Sequence, residues 1–136
     1  MLTMEKELLV GSITKVSDNK IHLPKEIMEE LNLSEGKSVL VIYKPTIRRI
    51  ILVPITNGVA KLILSLRDLP EAISEVTSIL VESEIKTLYT TGMCYRKGSC
   101  VWEGFIDLSK TKTDLEELKK RLSLVEDVFE VRIDHY

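Results

Sequence analysis

Cys94, Cys100 and His135 are the side chains of this sequence best suited to metal binding or nucleophilic chemistry. Their spacing supports neither, because zinc sites draw on short ligand pairs and the histidine here stands far from the two cysteines. The cysteines are read as free thiols that pack as small apolar side chains. No glycine-rich phosphate loop, paired-histidine metal motif or Ser/His/Asp set appears. The acidic residues fall on polar helix faces rather than in apolar surroundings that would tune a pKa. The expectation is therefore a protein that is not an enzyme, with no catalytic residue, no metal and no cofactor. Near the N-terminus stand Thr14, Lys15, Lys20, His22 and Lys25. On residue type alone the lysines read as solvated surface charges, and His22, which has no partner in the sequence, reads first as a strand residue.

The elements that must carry these residues follow from apolar periodicity. Leu8 to Val16 reads as a strand, Ser17-Asp18-Asn19-Lys20 as a turn of short polar side chains, and Ile21 to Leu23 as the returning strand. Pro24 suits the first helical position, with Ile27, Met28 and Leu31 on one helix face. Val39 to Tyr43 and Arg49 to Ile55 are Val- and Ile-rich strands, and Pro54 marks a strand end or an edge. Arg48-Arg49 sits in the hairpin loop between them. Thr56-Asn57-Gly58 is a short polar linker. Beyond it come a strand at Val59 to Leu66, a helix from about Asp68 to Glu84, strands at Ile85 to Tyr95 and Cys100 to Leu108 around a turn at Gly98, a helix from about Thr113, and a closing strand at Val128 to Ile133. Ile73, Val76, Thr77 and Leu80 are expected as the buried stripe of the first of these helices, and Leu115, Leu118 and Leu122 as that of the second. Trp102 and Phe105 face opposite sides of their strand, one towards the helices and the other towards an oligomer interface.

With 136 residues, 44% of them apolar, the chain is large enough for one ordinary or two small packed domains. The net charge of −2 excludes a strongly basic nucleic-acid coat. Residues 1–58 hold 8 basic and 7 acidic side chains, net +1; residues 59–136 hold 11 and 14, net −3. No apolar run approaches the roughly 18 residues that span a bilayer, and no signal-like segment opens the chain, so the expectation is a cytoplasmic protein with no membrane partner.

Lys15-Val16, the turn from Ser17 to Lys20, the segment Ile21-His22-Leu23-Pro24-Lys25-Glu26-Ile27, Leu31 with Leu33, and the turn Ser34-Glu35-Gly36-Lys37 before Val39 together resemble the AbrB-like swapped-hairpin domain of transition-state regulators and antitoxins. The resemblance implies an obligate homodimer with a shared β-barrel, which suits about 46 residues too few to bury an adequate core alone. It also implies double-stranded DNA as partner, contacted at Lys15, Lys20 and Lys25, with Thr14 and His22 as polar neighbours. The helix carries Glu26, Glu29 and Glu30 where the family often has arginine, so any affinity must come from local geometry.

The strand and helix order of residues 59–136, with Leu66-Arg67-Asp68-Leu69-Pro70-Glu71-Ala72-Ile73-Ser74, resembles an ACT domain. That resemblance implies a ferredoxin-like βαββαβ fold. It also implies a small-molecule effector, an amino acid by preference, received at Asp68, Leu69, Glu71 and Ala72 by the amides of a helix N-terminus. Glu71 stands where a glycine is usual.

The expected fold class is α+β, with a swapped-hairpin dimerisation domain at 8–55, a linker at 56–58 and an ACT-like domain at 59–136. The expected function is that of a DNA-binding transcriptional regulator with an effector-sensing or oligomerisation domain. It acts as a homodimer or, through exposed strand edges, a tetramer. The alternative is a homo-oligomeric sensor or assembly protein that uses the hairpin only to dimerise.

Overall fold

Four apolar side chains at alternate positions, Ala60, Leu62, Leu64 and Leu66, put one face of a single strand fully out of water. Burial of this kind contributes roughly 1.5–3 kcal/mol per large aliphatic side chain, and the C-terminal part of the chain is organised around it. The computed structural model describes residues 9–109 and 114–136. It divides into two compact units, Met1–Ser38 and Val39–Tyr136.

In the first unit, β1 (Val16–Ser17) pairs antiparallel with β2 (Lys20–Ile21), and α1 (Lys25–Glu30) follows, with Pro24 as its N-cap. Asp18 and Asn19 take φ of 52° and 58°. Both central residues of this two-residue turn are left-handed, a conformation that Asn and Asp tolerate and that matches strand twist. The expected strand from Leu8 is a correction. Leu8 itself lies outside the described residues, and residues 9–15 carry no strand, since a strand forms only where its backbone groups find a ladder partner.

In the second unit, β3 (Ser38–Lys44) and β4 (Arg49–Ile55) form a hairpin. Then come β5 (Val59–Leu66), α2 (Leu69–Glu82), β6 (Lys86–Arg96), β7 (Ser99–Asp107), α3 (Leu115–Ser123) and β8 (Val128–His135). The last four strands build an antiparallel sheet in the order β6-β7-β5-β8, the ferredoxin-like βαββαβ arrangement. Thr113, expected as the start of the last helix, lies outside the described residues. Asp114 caps that helix, accepting from the Glu116 N–H at 3.3 Å.

One face of the sheet carries both helices. Ala72, Val76 and Leu80 from α2, and Leu118 and Leu122 from α3, join the inward side chains of β5, β7 and β8 in one core. The stripe of α2 therefore runs through Ala72 rather than Thr77, which is exposed; the spacing of four keeps all three buried residues on one line. Trp102 lies in this core, and its indole crosses Gly104 so closely that a Cβ there would stand 2.7 Å from the ring.

The other face is covered by the β3–β4 hairpin. Leu40, Ile42, Ile51, Val53 and Ile55 pack with Val59, Leu88, Tyr89 and Phe105. Of Trp102 and Phe105, expected on opposite sides of the strand, Phe105 is the one that faces away from the helices, and it meets this chain's own hairpin. The segment Thr56-Asn57-Gly58 joins β4 to β5 inside the second unit, and the Leu108 N–H donates to the Gly58 carbonyl at 3.0 Å.

Cys94 and Cys100 form a disulfide, which corrects the expectation of free thiols. The β6–β7 register sets the two residues directly opposite, with Cα atoms 4.0 Å apart.

Candidate functional site

The register of the N-terminal hairpin sorts its side chains by face. Val16 pairs with Ile21 and Ser17 with Lys20, and Lys15 and His22 flank the two short strands. Cross-strand partners share a face and neighbours alternate. Lys20 therefore projects with Ser17, and Val16 and Ile21 project from the opposite side. The Thr14 hydroxyl donates to the His22 carbonyl at 2.9 Å and ties the open end. Both faces lie open to solvent: Val16 is 68% and Ile21 59% exposed. Neither Lys15 nor Lys20 is ion-paired with a described residue. Lys25 opens α1 and lies 3.8 Å from Glu29, with both side chains well exposed. An exposed pair of this kind is worth about 0–1 kcal/mol and leaves the ammonium free to exchange partners. Arg48 and Arg49 are solvent-exposed at the tip of the β3–β4 hairpin.

The second candidate lies at the start of α2. Asp68 occupies the N-cap in an extended conformation, yet its carboxylate makes no capping hydrogen bond. It lines a cleft of about 510 Å³ together with Arg67, Arg96, Lys97, Asp127 and the Cys94–Cys100 pair. Arg67 is placed by the β5–β8 pairing. Its N–H donates to the Asp127 carbonyl at 2.7 Å, its guanidinium lies 3.9 Å from the Asp127 carboxylate, and it stacks 5.0 Å from the Phe129 ring centroid. Of the other residues expected here, Leu69 packs into the core against Gly92 and Ala72 is 2% exposed. The Ala72 N–H is directed to the Asp68 carbonyl at 3.4 Å, and Glu71 is exposed outside the cleft lining. The Arg96-Lys97-Gly98 turn is visible in the sequence. Asp127 and Arg67 come together only through strand pairing, for which the sequence carries no local signal.

No family model matches this sequence, and no curated protein does. Solved structures similar in fold include two domains. The solution structure of the C-terminal domain of the MgtC protein from Mycobacterium tuberculosis is 18% identical over 58% of this chain and 87% of its own, with a TM-score of 0.48. The ACT domain from GTP pyrophosphokinase of Chlorobium tepidum is 18% identical over 57% of this chain and 99% of its own, with a TM-score of 0.47. Among the described residues no helix is long and apolar enough to cross a membrane.

Proposed function

We propose that this protein is a homodimeric DNA-binding regulator whose C-terminal unit senses a small zwitterionic ligand. The observation that carries the reading is an N-terminal hairpin with the exposed apolar side chains Val16 and Ile21 on one face and Lys20 on the other, and with the exposed Lys15 beside it. A hairpin with an exposed apolar side gains by burying it against a second copy, and pairing two copies doubles the cationic face presented to one duplex. Lysines act on phosphates as point charges, so they position the protein without reading sequence. The resemblance of residues 10–55 to the AbrB-like domain supports the same assignment. The test is a gel shift with random genomic DNA at low and moderate salt. Binding that weakens with salt supports the reading, and no shift at low salt removes the DNA partner.

The cleft beside Asp68 supports an amino acid as effector. Arg67, Arg96 and Lys97 offer charge to a carboxylate, and the uncapped Asp68 carboxylate offers it to an ammonium group. Calorimetric titration of the twenty amino acids tests this half. An effector that regulates must also shift DNA affinity, by a coupling of about 1–3 kcal/mol. A second reading, a homo-oligomeric assembly or sensor protein without DNA, is favoured by α1, where Glu26, Glu29 and Glu30 surround Lys25.

A further inference from the structure

The chain has seven aromatic side chains, and five of them, including all four tyrosines, line one groove. Tyr43 comes from β3, Tyr89 and Tyr95 from β6, Phe105 from β7, and Tyr136 follows β8. The groove runs between β3 and the outer face of the four-stranded sheet, within the second unit, and encloses about 560 Å³. That volume is in the range of small-ligand sites, which are mostly apolar with a few placed polar groups. Phe105 and Tyr136 meet edge to face with centroids 5.5 Å apart, a packed pair rather than loose surface rings. Tyr43, Tyr95 and Tyr136 are 68–69% exposed, so ring faces remain open to an occupant.

The charges in the groove choose the occupant. The Lys44 ammonium sits 5.6 Å from the Tyr89 ring centroid, and that of Lys61 sits 5.7 Å from the Phe105 centroid. Two of the five rings, Tyr89 and Phe105, are therefore already served by the protein's own cations. Lys61 is neutralised by Glu103 at 2.6 Å. Lys44 has no carboxylate among the described residues and donates only to the Thr91 hydroxyl at 3.4 Å. One uncompensated positive charge thus stands among open aromatic faces.

We infer that this groove binds a planar aromatic anion, its ring stacked among the tyrosines and its anionic group on Lys44. The site lies on the sheet face opposite α2 and α3, lined by other residues than the Asp68 cleft, and does not rest on the DNA-binding reading. The test uses the whole chain and two probes, indole-3-acetate and adenosine monophosphate, with indole, adenosine, acetate and inorganic phosphate supplying the ring or the charge alone. Calorimetry is expected to show at least one aromatic anion binding roughly tenfold tighter than its separate parts, since stacking and charge act together. Lys44→Gln, at a half-buried side chain, and Tyr95→Ala, at an exposed one, both outside the packed clusters, should each weaken that probe roughly tenfold. Asp68→Asn should leave it unchanged. Failure of both anions to bind, or to bind more tightly than their separate parts, overturns the proposal. So does a Tyr95→Ala variant that loses self-association while the probes never bind, because the groove then belongs to a second copy.

Discussion

Residues 9–38 and residues 39–136 solve the problem of burial in opposite ways. The C-terminal unit stacks helices, a four-stranded sheet and a hairpin, and its central strand β5 packs one face on the helices and, through Val59 on the other, joins the hairpin cluster. The N-terminal unit leaves Leu9, Val10, Ile13, Val16 and Ile21 between 59% and 98% exposed, and α1 buries no residue. Apolar side chains are present in both, so composition does not separate them. What separates them is whether the chain supplies its own second layer, without which an apolar face has nothing to be buried against. The first unit has the features of half a structure, and in the proposed dimer a second copy supplies the other half.

The comparison breaks most visibly at the core. Leu64→Ala removes a side chain that is fully buried in β5 and should lower unfolding stability by about 2–5 kcal/mol, read by denaturant titration. A loss below about 1 kcal/mol would mean that the sheet is not the stabilising layer. Gly104→Ala asks the same question of close packing. The new methyl meets the Trp102 indole, and about 1–3 kcal/mol should be lost as the ring shifts, with the change visible in tryptophan fluorescence. Ile21→Ser sharpens the contrast from the other side. It should weaken self-association at least about tenfold by light scattering, since a buried isoleucine is worth more than that, while the thermal transition of the C-terminal unit stays within about 0.5 kcal/mol. A stable folded 15.5 kDa wild-type monomer at micromolar concentration would remove the pairing altogether.

Much of the C-terminal unit was legible because burial imposes a period. Alternation from Val59 to Leu66 and apolar spacings of three and four in both helices declare strand and helix without knowledge of neighbours. The α+β class and the βαββαβ order followed. Pairings between distant segments were not legible. Cys94 faces Cys100 only because β6 and β7 adopt one register, which shifts between Cys94 and Arg96. Arg67 meets Asp127 only across β5 and β8. The β3–β4 hairpin reads as a strand pair in any context, and that it covers the outer face of the sheet is decided by Phe105, Leu88 and Tyr89 offering it an apolar floor. At the candidate sites, Asp68 was found from its position before a proline-initiated helix. Leu69 and Ala72 are on that helix too, but their side chains turn to the core.

The central claim, that the cationic face of the N-terminal hairpin holds DNA, is met most directly by the salt dependence of binding to a random-sequence duplex, followed by fluorescence anisotropy. With three lysines from each of two copies on phosphates, the log-log slope should be about −5, at about 0.9 per phosphate neutralised. In the chain carrying Lys15→Ala, Lys20→Ala and Lys25→Ala it should flatten towards zero, with affinity lost evenly across sequences. A slope unchanged in that variant, or no binding by the wild-type chain at about 50 mM salt, contradicts the account.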